Sequence, residues 1–419
     1  MRVLMVSANT ERINLPTLPL GAAIVAAATR AAGHDVTLLD LMGEANPLGA
    51  LHRAIQTHRP EVIGISVRNI DDQEMSRPAF LIEEVRPLVE ACRASTCAPV
   101  VLGGAGYTLF ARAALDFLGA DYGICGEGEE AFPTLLERLR ARGDLSDVTG
   151  LVVAGDHSSP SRAAVASVDG PPEPGPELWS AADITAPDVW VPVQTRRGCP
   201  YRCSYCSTPA IEGSAMRCRS LDRVAAQLEH MAAEGIRQIH FVDNIFNVPH
   251  GHALELCRRM VDLGAGLRWQ AILYPQGLDG ELAQAMAAAG CVSVSLGFEA
   301  GDDRMLRAYR KRFDTAEVRR VSAVLAEHGI RRFGFLLLGG PGETRDTVSA
   351  SLDFVESLAL DMLRVTVGVR IYPGTELARI AVEQGVVSPD DDLLRPRFYM
   401  TPGLEPWIRE ELDRRGIES

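Results

Sequence analysis

The chain has 419 residues, enough for two or three domains. It is 47% hydrophobic and 23% charged, which excludes a disordered or fibrous chain and fits a globular protein with a large core. A net charge of −13 and a pI near 5.3 argue against nucleic acid as the main partner, because phosphate binding relies on a basic face. The start, "MRVLMVSANT", reads as a buried strand and not as a secretory leader. Apolar runs such as "FGFLLLGG" are too short to cross a bilayer, so no membrane span is expected. Nine cysteines, an odd number spread over a long chain, do not make a secreted disulfide framework. The expected location is the reducing cytoplasm.

In chain order, "RVLMVSA" is a short apolar strand, followed by the Ala-rich helix "PLGAAIVAAATRAAGH". Then come "DVTLLDL", a helix around 48–56, "EVIGISV", a helix around 80–91, "PVVLGG", a helix around 109–118, and "DYGICGEGEEAF" leading into another helix. Strand and helix alternate five times, which predicts a parallel, doubly wound, Rossmann-like sheet over residues 1–150. Its strands are continuously apolar, as strands covered on both faces should be. Residues 151–190 contain "PPEPGPEL" and read as a linker.

A second alternating series follows. Strands are predicted at 191–196, 236–242, 267–272, 291–296, 333–338 and 363–369. Helices are predicted at 221–234, 252–263, 281–289, 316–328 and 344–358. Six such units predict a partial (β/α)6 barrel of the TIM type over 191–385, with its chemistry at the C-terminal ends of the strands. A short C-terminal tail, 386–419, holds one more helix, Glu405–Arg415.

The stretch "RRGCPYRCSYCSTP" at 196–209 sets Cys199, Cys203 and Cys206 in a C-x3-C-x2-C spacing directly after the first barrel strand. Thiolates select iron–sulfur clusters, zinc or copper. Zinc needs a fourth protein ligand, for which Cys218 or His240 stands available. Three thiolates on one loop instead hold three irons of a [4Fe–4S] cube and leave the fourth open. The remaining thiols, Cys92, Cys97, Cys125, Cys257 and Cys291, are expected to be small buried hydrophobes.

C-x3-C-x2-C at the mouth of a partial barrel resembles the radical S-adenosylmethionine (radical SAM) enzymes. The resemblance implies that the amino and carboxylate groups of S-adenosylmethionine chelate the open iron. Tyr205 matches the family's aromatic position near the adenine. "FVDNIF" at 241–246 stands in the place of a Gly-Gly-Glu motif, so Asp243 and Asn244 are the implied contacts to the methionine amino group. "SLGFEAGDDRML" at 295–306 resembles the Gly-x-Glu stretch through Gly297 and Glu299. "LLGGPGE" at 337–343 resembles the fifth-strand motif through Leu338, Gly340 and Glu343. "IYPGTEL" at 371–377 resembles the sixth-strand turn.

The first half resembles the cobalamin-binding domain found ahead of some radical SAM barrels, through "LPLGAAI", "HDVTLLDL", "GISVRNIDD", "VVLGG" and "GEGEEAF". The implied contacts are Ser66, Arg68, Asn69, Gly103, Gly104, Gly126 and Glu127, with Arg68 and Asn69 facing the lower side of cobalt. Many cobalamin domains place an axial His in an Asp-x-His-x-x-Gly motif. Read from Asp40, Met42 stands where that His would be, so no His ligand from the protein is expected. There is no G-x-G-x-x-G after the first strand, which counts against a dinucleotide.

Together the two resemblances imply a cobalamin-dependent radical SAM enzyme, and above all a C-methyltransferase. It would carry a methyl group from S-adenosylmethionine through methylcobalamin to a substrate carbon radical made by the 5′-deoxyadenosyl radical. A cyclase or rearrangement enzyme with the same cofactors is the alternative within the family. A cobalamin and iron–sulfur sensor without turnover is the alternative outside it. A small-molecule substrate is expected, with an external electron donor such as flavodoxin or ferredoxin.

Overall fold

Two six-stranded sheets carry most of the β-structure, and each grows from the alternation just described. The computed structural model describes residues 1–11, 18–156, 158, 161–178 and 184–418. Parts of the 8–19 segment and of the Pro-rich linker therefore lie outside the described residues.

The first sheet is built from β1 (Arg2–Ser7), β2 (Asp35–Asp40), β3 (Val62–Ser66), β4 (Val100–Gly103), β5 (Tyr122–Ile124) and β6 (Leu151–Val153) in the order β2-β1-β3-β4-β5-β6. The pairs from β2 to β5 are parallel, as expected. Strand order reverses between β1 and β3, and in open α/β sheets ligands bind beyond the strand ends at such a point. β6 corrects the sequence expectation. It runs antiparallel to β5 inside the span read as linker, and Ala163 bridges back to Gly126. A three-residue strand is too short to show a period.

The second sheet has the order β14-β13-β12-β11-β10-β7, all parallel. Its strands are β7 (Val191–Val193), β10 (Gln238–Phe241), β11 (Arg268–Leu273), β12 (Cys291–Glu299), β13 (Arg331–Leu338) and β14 (Met362–Val367). All six predicted strands are present. One side chain set, including Ile239, Phe241, Trp269, Leu296 and Leu336, is buried under the helices. The alternate set forms the inner face of an open barrel, where His240, Ser295 and Phe335 stay half-buried. Two short antiparallel pairs complete the strands: β8 (Arg196–Arg197) with β9 (Arg217–Cys218), and β15 (Val369–Arg370) with β16 (Phe398–Tyr399).

The chain from Val369 onward, which includes the end of the span read as barrel and the C-terminal tail, is not an appendage. Val369, Ile371, Leu377, Leu393, Leu394 and Tyr399 join Ile65, Leu102 and Tyr107 in the core of the first domain. Burying each such large apolar side chain stabilises by about 1.5–3 kcal/mol. Helix Glu405–Arg415 instead packs Leu404, Ile408 and Leu412 onto the barrel core. Arg370 and Asp71 form a buried ion pair at 2.8 Å between the two parts of the molecule. The segment after the barrel thus fastens the first sheet to the second.

Candidate cofactor site between the two sheets

The cysteine loop leaves β8 and is held from several sides. Cys199 N–H donates to Gly213 O at 3.2 Å, Ser204 N–H to Tyr309 O at 3.1 Å, and Leu377 N–H to Ser204 O at 2.8 Å. Its approach is fixed by Arg196, which is fully buried and donates to the carbonyls of Phe246 at 2.5 Å and Val248 at 2.7 Å. Asp243 accepts from Thr195 N–H at 2.7 Å, Thr195 Oγ1 at 2.6 Å and Arg196 N–H at 3.1 Å, and contacts Arg196 Nε at 3.2 Å. Complete burial holds its carboxyl above the usual range, although Arg196 and the Thr195 donors pull against it. Asp243 is therefore not a ligand contact as the sequence implied. Its oxygens are spent on holding the loop. Asn244, one residue on, hydrogen-bonds Glu212 and accepts from Thr208 Oγ1 at 3.4 Å.

The three thiols sit in a dry setting. Cys199 is buried beside Ile245 and Tyr274, and Cys203 and Cys206 are partly buried. Burial pushes the Cys199 thiol up to about 11, and the neighbouring Cys206 and Cys203 push the same way. Thiolates in such a place need a cationic partner. Among the described residues no three His, Cys, Asp or Glu side chains converge on one point as a single ion requires. A zinc–sulfur bond of about 2.3 Å demands that convergence. Three thiols that each bind a different iron of a cube do not. The donor set fits the cluster and not zinc closed by Cys218 or His240.

Around the thiols stand aromatic rings. Tyr205 meets Tyr309 edge-on with centroids 5.5 Å apart, and Tyr201 stacks on Tyr274 at 4.0 Å. Burial and the nearby Glu299 carboxylate hold the Tyr205 hydroxyl well above its ordinary range. Glu299 ends β12 after a break in its register with β13 and has φ of +68°, a left-handed value rare outside glycine. Lys311 holds it: the ammonium donates to Gly297 O at 2.8 Å and lies 3.5 Å from Glu299 Oε1. Gly340 has no room for a side chain, since a Cβ there would lie 2.3 Å from Tyr309 Oη. Leu338 is fully buried in the barrel core, so its side chain is part of the packing. The Glu343 carboxylate accepts from Gly339 and Gly340 N–H, and burial raises it to about 7.

Across from this end of the barrel, the carboxyl ends of β1, β3, β4 and β5 border a cavity of about 320 Å³. Ser66, Arg68, Gly103, Gly104, Gly126 and Glu127 line it, as the resemblance implied. The opposite wall comes from the barrel: Gln194, Arg197, Ile211, Glu212 and Val242. A Cβ on Gly103 would meet nothing within 4 Å and would project into open space. Gly104 has φ of +102°, and a Cβ there would lie 2.6 Å from Val67 O, so glycine is required. The cradle therefore fits a large flat ligand lying against backbone.

Two implied contacts, Asn69 and Glu127, change. Asn69 does not line this cavity; its amide donates to Asn9 at 3.2 Å in a separate small recess. Met42 is not among the lining residues either, because β2 is an edge strand. Arg68, just after the central β3, does line the cavity. Glu127 lines the cavity, but its carboxylate is taken by Arg217, by Val165 N–H at 2.7 Å and by Arg197 at 3.6 Å. Burial pushes Glu127 up, and those donors outweigh it and bring it below the usual range. Arg197 also pairs with Glu129 at 2.6 Å. It stands two residues before Cys199, so the cysteine loop is tied directly to the wall of the other cavity. Sequence reasoning missed this clamp, which joins distant segments, and it missed Lys311, whose residue type alone was a visible signal. Cys97 is exposed and not buried as expected, because it follows the end of helix Arg86–Ser95.

Comparison with known proteins supports the same division. The model of the Radical SAM superfamily matches residues 193–355, and that of the B12 binding domain matches residues 6–136. A tryptophan 2-C-methyltransferase of Streptomyces laurentii is 26% identical over 90% of this chain and 74% of its own length. A hopanoid C-3 methylase of Methylococcus capsulatus is 28% identical over 70% of this chain and 56% of its own. The structure of the radical S-adenosylmethionine methyltransferase TsrM from Kitasatospora setae, with cobalamin and a [4Fe-4S] cluster, matches with a TM-score of 0.82 at 24% identity, covering 96% of this chain and 84% of that one. That of the cobalamin-dependent S-adenosylmethionine radical enzyme OxsB matches with 0.77 at 17% identity, covering 98% and 66%. With a thiol loop at the barrel mouth, a glycine-lined cradle on the sheet before it, and both family models matched in that order, the chain belongs to the cobalamin-dependent radical SAM enzymes.

Proposed function

We propose that this chain is a C-methyltransferase, transferring a methyl group of S-adenosylmethionine to a carbon atom of a small molecule. Bound together, the cluster, S-adenosylmethionine and cobalamin supply one-electron cleavage of a carbon–sulfur bond and a carrier for the methyl group. The chain's own residues position these groups and keep water away. Cys199, Cys203 and Cys206 hold the cluster. Tyr205, Gly297, Glu299, Gly340 and Asn244 border the S-adenosylmethionine place. Ser66, Arg68, Gly103, Gly104 and Gly126 would border the corrin.

One observation carries the proposal. Arg197 and Glu212, which flank the cysteine loop, are also walls of the cavity on the cobalamin sheet. Glu212 accepts from Gly198 N–H at 2.9 Å, beside Cys199 itself. Two cofactor places thus share side chains and are held in a fixed relation, as methyl transfer between them requires. A low-potential donor such as flavodoxin or ferredoxin, and the reducing cytoplasm that keeps it reduced, belong to the same reading.

The test is product analysis with reconstituted, reduced enzyme and candidate small molecules. A methyltransferase yields S-adenosylhomocysteine, 5′-deoxyadenosine and a substrate heavier by one methyl. Rearranged substrate without mass gain would make it a cyclase or mutase instead. Intact S-adenosylmethionine under every condition would make it a sensor.

A further inference from the structure

The sequence contains 42 Lys and Arg residues, and all but one are Arg. The exception is Lys311. Lys311 is also far from an ordinary surface lysine, since its side chain is 4% exposed. Its ammonium lies 5.5 Å from the ring centroid of Tyr205, 5.8 Å from that of Phe313 and 5.9 Å from that of Tyr274. Gly297 O and Glu299 Oε1 complete its surroundings. Three ring faces and two oxygens form a cage for a compact, roughly spherical cation. A compact ammonium can face three rings at once, whereas a planar guanidinium stacks on a single ring face.

The cage borders the thiol loop, because Tyr205, one of its rings, stands between Cys203 and Cys206 in the chain. Tyr274, one wall of the cage, packs directly on Cys199. The next residue is also fixed, because Arg312 N–H donates to Tyr274 Oη at 2.8 Å. That bond fixes the backbone beside Tyr274, and the bond to Gly297 O holds the ammonium.

We infer that Lys311 is a positioning residue: it fixes one positive charge against the cluster and thereby raises the cluster's reduction potential, while orienting Glu299. This rests on the cluster assignment made above. A cluster held by thiolates carries negative charge, and its potential follows net charge and local hydrogen bonding. A cation held still in a low-dielectric pocket acts more strongly than one in water. An added electron is more easily accepted with that cation in place. No bond to Lys311 forms or breaks.

The test uses the full chain, anaerobically reconstituted. Because Lys311 is the only lysine, protein grown on lysine carrying 13C at Cε gives a single lysine side-chain resonance. Cluster loading should shift or broaden it strongly. An unchanged resonance on loading would overturn the inference. The second readout is the cluster midpoint potential, followed by electron paramagnetic resonance without S-adenosylmethionine. Lys311→Met should move it to more negative values, and Lys311→Arg should restore part of the shift. Glu299→Gln, which removes the counter-charge, should move it the opposite way. Wild-type potential in Lys311→Met at full iron and sulfide content would overturn the inference. If Lys311→Met takes up no cluster, Glu299→Gln decides, and a zero or more negative shift there refutes it. Wild-type protein that binds no iron and sulfide would bring down the proposed function itself.

Discussion

Asp71→Ala is expected to loosen the seam between the two sheets. Asp71 and Arg370 are almost fully inaccessible, with side-chain exposures of 1% and 3%. Besides Asp71, Arg370 donates to Ile371 O at 2.6 Å and Leu393 O at 2.9 Å, and it lies 5.0 Å from the Tyr372 ring centroid. Asp71 also accepts from Gln73 N–H at 3.0 Å. Removing the carboxylate leaves a buried guanidinium without its counter-charge, which costs about 3–5 kcal/mol. With an unfolding entropy of about 2.1 cal/mol/K per residue over 419 residues, that lowers Tm by about 3–6 °C. Differential scanning calorimetry of cofactor-loaded protein measures it. Asp71→Leu with Arg370→Met replaces the pair by apolar groups and should recover most of the loss. A Tm drop under 1 °C for Asp71→Ala, or no recovery in the double variant, would refute the assignment of this pair as the seam.

Gly103→Val puts a branched side chain into the cavity on the cobalamin sheet without striking backbone, so corrin retention should fall at least tenfold while iron and sulfide content stays normal; absorption spectra of the purified protein measure both. Arg197→Gln cuts the contact to Glu129, and limited proteolysis should then cleave the chain between the two sheets several-fold faster. The Glu343 carboxyl is raised from 4.5 to about 7, so its contribution is complete below pH 4.5 and is lost as pH rises through about 7. Glu343→Gln should therefore gain on wild type by about 2–4 kcal/mol between pH 4.5 and 8 in urea denaturation, since each tenfold change in proton affinity is worth about 1.4 kcal/mol. His240 is lowered from 6.5 to about 4 by burial and by Arg68, so stability falls as pH drops from 6.5 to 4, and His240→Gln should flatten that limb of the urea-denaturation profile.

The sequence carried the strands and helices well, because apolar runs and Ala-rich helices report burial directly. The cysteine loop was equally legible, since its spacing is local. What stayed hidden depends on contacts between distant segments. Asp71 and Arg370 lie 299 residues apart, and nothing local marks them as a pair. The segment from Val369 onward gave no sign that its apolar side chains complete the core of the first domain. Asp243 was misread because a carboxylate after a strand looks the same whether it meets a ligand or, as here, anchors Thr195 and Arg196. Motif counting sets Met42 in the place of an axial His, and strand order shows that this position follows an edge strand. Lys311 could have been found by counting lysines, although its aromatic cage could not.

The most direct measurement is the iron, sulfide, zinc and corrin content of anaerobically purified, reconstituted protein beside its Cys199→Ala/Cys203→Ala/Cys206→Ala variant. About four iron and four sulfide with one corrin per wild-type chain, and corrin alone in the variant, are expected. Zinc without sulfide at these thiols, or a chain that takes up no corrin, would contradict the two-cofactor architecture.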